Sequence, residues 1–214
     1  MPESPSQLYL VRLSGTISTK SSQTRKAFQR TLEDNIRDAL EQSGDDFSVE
    51  RRWNRIFVRT DSDEAVRQLT RVAGVQSIRP AVRREWDTLA DIVEAGRKLF
   101  ADRVEDRTFA VRARRVGHRD PFPFRSDDVK RELGRALVEA GGEVDLDAPE
   151  VEVRLELHIE EAFVYERDIP GPGGLPVGVE GRALAMISGG FDSAVAARQM
   201  LKRGVALDFV FFNL

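Results

Sequence analysis

The chain has 214 residues, 41% of them apolar, with 33 basic and 36 acidic side chains and a formal net charge of −3, which allows ordinary buried cores but gives no global positive field for nucleic acid. It contains no cysteine, which excludes a disulfide framework, a thiolate metal site and a cysteine nucleophile or persulfide carrier among these residues. No apolar run approaches bilayer length and the start Met1-Pro2-Glu3-Ser4 lacks the regions of a signal peptide, so a cytoplasmic location with no membrane partner is expected.

Residues 7–13 place Leu8, Leu10 and Leu13 as in a half-buried strand. Residues 24–43 then carry Phe28, Leu32, Ile36, Ala39 and Leu40 at three- and four-residue spacing, which predicts an amphipathic helix closed at Gly44. Residues 47–52 and 55–60 read as a hairpin about Trp53-Asn54, residues 63–72 as a short helix ended by Gly74, and residues 75–82 as a further strand. The order β-α-β-β-α-β is ferredoxin-like, an arrangement that hosts many functions.

Asp87 is expected to cap a helix whose apolar side carries Leu89, Ile92, Val93, Ala95, Leu99 and Phe100. In the strand at 108–116, Phe109 and Val111 alternate with Arg112, Arg114 and Arg115, and residues 117–125 form a basic, aromatic loop. Ser126 reads as the N-cap of a helix over 127–140 that ends at Gly141-Gly142, followed by strands at 151–159 and 162–167. Residues 169–178, rich in Pro and Gly, break regular structure and read as an interdomain linker.

Between residues 109 and 135 there are eight basic side chains against four acidic ones. Arg112, Arg114, Arg115, His118, Arg119, Arg125 and Lys130, with Phe122 and Phe124 interleaved, are of the types that clamp phosphates and stack on unpaired bases. Charge alone fits a solvated arginine-rich face equally well. Arg51, Arg52 and Arg55 form a smaller cluster, read as a charged hairpin surface.

The most informative stretch is Ser188-Gly189-Gly190-Phe191-Asp192-Ser193, set between an apolar strand-like run at 183–187 and an Ala-rich helical run at 194–201. Two glycines let the backbone approach an anion, serines add hydroxyl donors, and the helix start aims free N–H groups at the same spot. The plain alternative is a Ser-Gly-Gly turn joining strand to helix without a ligand. It is not a Walker loop, which needs G-x-x-x-x-G-K-[ST]. It resembles instead the pyrophosphate loop of enzymes that split ATP between its α- and β-phosphates.

Taken with Met200-Leu201-Lys202-Arg203-Gly204, Phe211-Phe212-Asn213-Leu214 and the softer match at Phe109-Ala110-Val111-Arg112-Ala113-Arg114-Arg115, this loop makes the whole chain resemble the ThiI-type tRNA sulfurtransferases, or tRNA 4-thiouridine synthetases. The resemblance implies a mixed α+β and α/β chain. Its parts would be a ferredoxin-like domain over 1–83, a THUMP RNA-binding domain over 84–170 and, over 171–214, a linker with the first βαβ part of a doubly wound pyrophosphatase domain. Gly15-Thr16-Ile17-Ser18-Thr19-Lys20-Ser21 departs from a Gly-Glu-(apolar)-x-(apolar)-Lys-Gly pattern frequent after the first strand of that family. A complete doubly wound nucleotide domain needs about 100 residues or more, so a truncated enzyme is expected.

For such an enzyme the resemblance implies ATP-dependent adenylation of the uridine at position 8 of tRNA, then displacement of AMP by sulfur. Ser188, Gly189, Gly190 and Ser193 would hold phosphates. Asp192, as the catalytic acidic residue, would help Mg²⁺ and the phosphates reach in-line geometry, with no dedicated metal-ligand set. Met186-Ile187 and Phe211-Phe212 match strand ends that meet the nucleotide. With no cysteine here, sulfur would come from a missing domain or an external persulfide donor. The family further implies a homodimer and a second role in thiamine thiazole formation. Two alternatives are a non-catalytic tRNA-binding THUMP module with an incomplete nucleotide loop, and an enzyme adenylating some other acceptor.

Overall fold

A computed structural model describes residues 7–52, 55–116 and 122–212. In chain order its elements are β1 (Leu8–Leu13), α1 (Gly15–Ser18), α2 (Ser22–Glu41), β2 (Ser48–Arg52), β3 (Arg55–Arg59), α3 (Asp63–Leu69), β4 (Val75–Glu85) and α4 (Leu89–Val104). There follow β5 (Thr108–Arg115), α5 (Ser126–Val138), β6 (Glu143–Val144), β7 (Val151–Leu157), β8 (Glu161–Tyr165), β9 (Ile169–Pro170), β10 (Arg182–Ile187), α6 (Phe191–Lys202) and β11 (Ala206–Phe211). They divide into two compact units, one of residues 1–79 with 168–214 and the other of residues 80–167.

In the first unit the strands run β2-β3-β1-β4, as the ferredoxin-like order requires, with antiparallel pairs such as Leu10 opposite Phe57 and Val49 opposite Val58. The helical spacing read in the sequence buries Phe28, Leu32, Ile36 and Leu40 of α2 against Val11, Leu13, Ile56, Val58 and Ile78. Each such side chain contributes about 1.5–3 kcal/mol of transfer free energy. The Trp53-Asn54 turn expected between β2 and β3 lies outside the described residues.

The stretch read as an interdomain linker opens with a short strand, β9, and is held by backbone hydrogen bonds in this unit. Ile169–Pro170 pairs antiparallel with β4, the Gly171 and Gly173 N–H groups donate to Gln76 O (3.0 Å) and Val75 O (2.7 Å), and Leu175 N–H donates to Lys202 O (2.9 Å). A Cβ at Gly171 would lie 2.4 Å from Val75 O, so the glycine is there for close backbone approach rather than for slack. Beyond it β10 and β11 pair in parallel from Arg182 opposite Ala206 to Ile187 opposite Phe211, joined through α6. This strand–helix–strand is the expected opening of a doubly wound sheet.

In the second unit the C-terminal part of β4 and β8, β7, β5 and β6 form one sheet in that order, β8 running antiparallel to both β4 and β7, with β5 parallel to β7. Val111, Ala113, Val153, Leu155, Leu157, Ala162 and Val164 face α4 and α5 in the core. Two expected caps shift by one residue. Thr88, not Asp87, caps α4, because the Asp91 carboxylate accepts from Thr88 N–H at 2.8 Å while Asp91 N–H donates back to Thr88 Oγ1 at 3.4 Å. Ser126 is the first residue of α5, and the cap falls on Arg125, whose N–H donates to Asp128 Oδ2 at 2.8 Å.

Candidate nucleotide and nucleic-acid sites

The Ser188–Ser193 loop sits where β10 ends and α6 begins, beside the end of β11, so the carboxyl ends of both parallel strands meet the loop. Gly190 is the N-cap of α6 with no side-chain cap, which leaves the N–H groups of the first turn directed at the loop. Inside it Ser193 Oγ donates to Gly190 O at 3.0 Å, Ser188 N–H donates to Ser193 Oγ at 3.3 Å, and Gly190 N–H donates to Ser188 Oγ at 3.4 Å. Both hydroxyls therefore lie within reach of one anion position.

Nothing in the fold demands the two glycines. Neither is among the positive-φ residues. A Cβ at Gly189 would meet nothing within 4 Å, and one at Gly190 would meet only Ser188 Oγ at 3.6 Å. The space that a side chain would occupy is an open cradle. Ser188, Gly189, Gly190 and Asp192 are exposed and Ser193 is half-buried; Asp192 is the one acidic residue of the first turn. Among the described residues no group of three or more His, Cys, Asp or Glu side chains is placed to hold a metal. A cation at Asp192 would need oxygens of a bound phosphate to complete its shell.

The strand-end residues are open as well. Met186 and Phe211 are exposed, Phe212 follows β11 exposed, and Ile187, half-buried, registers with Phe211. Phe191, read in the sequence as part of the motif but not as a site residue, stands 91% exposed at the loop.

The basic segment of the second unit is split by strand alternation. Arg112 and Arg114 lie on the face of β5 turned away from the helices. There Arg114 pairs with Glu156, a fully buried carboxylate of β7, and Arg112 donates to Leu146 O at 2.6 Å and lies 3.5 Å from Glu152. Arg115 takes the opposite face, its guanidinium 5.6 Å from the Phe122 ring centroid. Phe122 stacks on Trp86 at 6.0 Å, Phe124 meets it at a tilt with centroids 5.1 Å apart, and Trp86 Nε1 donates to His158 O at 3.1 Å. Arg125 and Lys130 stand at the start of α5, where Lys130 pairs with Asp127 at 2.9 Å and holds that carboxyl below its ordinary range. His118 and Arg119 lie outside the described residues. Glu156 and Trp86 were not legible as site residues, since each joins the site through long-range pairing.

Together these features define a protein with a ferredoxin-like fold, a THUMP domain and the start of a pyrophosphate-loop domain. Family models agree: the ThiI ferredoxin-like domain matches residues 8–78, the THUMP domain residues 87–166, and the model described as Thiamine biosynthesis protein (ThiI) residues 178–214. The chain belongs to the ThiI-type tRNA sulfurtransferase family.

A probable tRNA sulfurtransferase of Aeropyrum pernix is 41% identical over 209 residues, with 95% of this chain and 52% of that protein covered. The crystal structure of PH1313 from Pyrococcus horikoshii superposes with a TM-score of 0.84 at 34% identity, covering 97% of this chain and 69% of that one. A 4-thiouridine synthetase–RNA complex with bound ATP superposes with a TM-score of 0.77 at 27% identity, covering 97% and 53%. The chain spans about half the length of the curated relatives it matches. Among the described residues no helix is long and apolar enough to cross a membrane.

Proposed function

We propose that this chain supplies the tRNA-binding part and the phosphate loop of an ATP-dependent tRNA sulfurtransferase that forms 4-thiouridine at position 8 of tRNA. The observation that carries the reading is the open glycine cradle at Gly189-Gly190, capping α6 at the carboxyl ends of two parallel strands. In this role the Gly190 and first-turn N–H groups and the Ser188 and Ser193 hydroxyls hold the β- and γ-phosphates of ATP, while Met186, Ile187, Phe211 and Phe212 flank the nucleotide. Asp192 would hold Mg²⁺ together with the phosphate oxygens, and the ion, when bound, would supply neutralisation of phosphate charge. The uridine C4 oxygen attacks the α-phosphorus, the α–β bond breaks, and sulfur then displaces AMP at C4.

Arg112, Arg114, Arg115, Arg125 and Lys130 with the Trp86-Phe122-Phe124 cluster contact the tRNA, by charge and by stacking. A cysteine-free chain leaves sulfur delivery to a persulfide donor outside these residues. The division into domains at 1–83, 84–170 and 171–214, the homodimer and the use of the same sulfur chemistry for thiamine belong to this proposal. Exposure of Leu184, Met186, Phe209 and Phe211 on the two-stranded sheet supports a second reading, in which the chain by itself binds tRNA without turnover.

The test is calorimetric titration with ATP, inorganic pyrophosphate and AMP. A pyrophosphate loop binds the first two and discriminates against AMP, and Ser193→Ala together with Asp192→Ala changes the first two affinities alone. Equal affinity for AMP, or no response to the substitutions, would remove the loop from nucleotide binding.

A further inference from the structure

A cavity of about 310 Å³ lies in the first unit, at the lower end of the size range of small-molecule sites. Residues of α2, of α3 and the turn after it, of the 172–177 stretch and of α6 line it. From α6 it takes only the C-terminal half, beginning at Arg198, about 12 Å along the helix axis from Gly190. Ala39, Val72, Val177 and Leu201, buried or half-buried, give it an aliphatic lining. Its charged groups are Arg71, Arg198 and Lys202 against Asp38, all exposed, an excess of two positive charges.

Neither helix ends nor ion pairs account for these cations. Lys202 stands in the last turn of α6, where a cation complements the dipole, but Arg198 lies a turn earlier. Arg71 falls beyond the C-cap of α3, which already has Arg67 in its last turn. Arg71, Arg198 and Lys202 form no ion pair among the described residues. The Glu64 carboxyl is held below its ordinary range by hydrogen bonds from Arg67 and Gln68, and Arg71 adds only a through-space pull. The walls, by contrast, are already held in place. Thr16 Oγ1 donates to Gly174 O at 3.0 Å, Leu175 N–H to Lys202 O at 2.9 Å and Asn35 Nδ2 to Val177 O at 3.1 Å, which pins the 174–177 stretch to α1, α2 and α6. A Cβ at Gly174 would lie 2.7 Å from Lys202 Cγ, so the lysine stem runs over that glycine. A hollow fixed in this way loses little conformational freedom when a ligand enters it.

We propose that this cavity binds a small organic dianion, a dicarboxylate or an organic monophosphate with a short aliphatic body. The two guanidinium groups offer paired donors that match carboxylate and phosphate oxygens, and the aliphatic lining covers the hydrocarbon part. The excess of two positive charges matches the charge of such a ligand. The site is separate from the phosphate loop, and it stands whether or not the nucleotide and tRNA readings do.

The experiment is calorimetric titration of the full chain with adipate, with glycerol 3-phosphate and with adipamide, the neutral analogue of the first. Saturable binding of at least one dianion and none of adipamide is expected, and the dianion that binds more tightly tells carboxylate from phosphate. Arg71→Gln with Arg198→Gln should lower that affinity about five- to thirtyfold, as for two charge contacts on exposed side chains. The urea midpoint should not change, because neither side chain is buried. Ala39→Met narrows the hollow with every charge left in place, and should also weaken binding. Ser188→Ala with Ser193→Ala, at the other end of α6, should leave dianion affinity within about twofold. An equal loss in this loop variant would place the dianion in the phosphate loop and overturn the proposal. Absence of saturable binding up to about 10 mM, or no response to the guanidinium variant, would overturn it as well. If that variant loses affinity for a tRNA transcript while no dianion binds, the cations serve a polyanion and the proposal falls.

Discussion

Replacing Gly189 by Ala should make the protein slightly more stable and a worse ligand for phosphates. Gly189 is not held at positive φ, and an added Cβ meets no atom of the protein within 4 Å, so the folded state carries no strain from the methyl group. The unfolded chain loses freedom instead, which stabilises the folded state by about 0.4–1 kcal/mol. A phosphate oxygen bound to the neighbouring N–H groups would press on that same Cβ. Overlap of this kind costs about 1–2 kcal/mol, about a fivefold to thirtyfold loss of ATP affinity. Urea unfolding and calorimetry on one preparation read both quantities. A structural turn with no ligand role gives the first change without the second. Destabilisation by 1 kcal/mol or more would instead show that Gly189 is required by the fold, and would refute the reasoning.

Arg114→Ala leaves the fully buried Glu156 carboxylate without its guanidinium and should destabilise the second unit by about 2–3 kcal/mol, below the cost for a wholly buried pair because Arg114 is 46% exposed; adding Glu156→Gln should recover most of that loss in a double-mutant cycle followed by Trp86 fluorescence. Thr88→Ala removes the cap of α4 and should cost about 1 kcal/mol in urea unfolding. Gly174→Ala would bring a Cβ within 2.2 Å of Lys202 O at φ +79°, so the joint between residues 168–175 and the two-stranded sheet should weaken by more than about 1 kcal/mol. Burial pushes the Glu33 carboxyl up, but hydrogen bonds from Arg51 and Arg37 outweigh it and hold the group below its ordinary value of 4.5. The folded pKa is then lower than the unfolded one, so the contribution of Glu33 is present above about pH 4.5 and is lost as pH falls through the depressed value. The stability difference between the natural chain and Glu33→Gln should shrink between about pH 5 and pH 3, and a constant difference would contradict the assignment.

The ferredoxin-like order and α2 were legible because hydrophobic period reports local structure directly: Phe28, Leu32, Ile36 and Leu40 could face a core in no other way. The strand–loop–helix around Ser188–Ser193 was legible for a related reason, since its glycines are flanked by an apolar strand and a helix start in immediate succession. The order of residues 169–175 was not, because it comes from backbone hydrogen bonds to Val75 and Gln76, and a Pro-Gly-rich composition is the same whether the backbone is free or pinned. Likewise Asp87 and Thr88 are both capping types, and only the position of Asp91 three residues after Thr88 decides between them. The basic patch was legible as composition but not as a surface. Alternation along β5 sends Arg114 and Arg115 to opposite faces, and the carboxylate under Arg114 comes from β7.

The claim that matters most is that this chain holds tRNA through its THUMP domain. Binding of an unmodified tRNA transcript should therefore be measured across salt concentrations for the unaltered chain and for Arg115→Gln with Phe122→Ala. Membership of the tRNA sulfurtransferase family predicts salt-sensitive binding that the double variant weakens by tenfold or more, about 1.4 kcal/mol. No binding by the unaltered chain, or binding that the variant leaves unchanged, would contradict it.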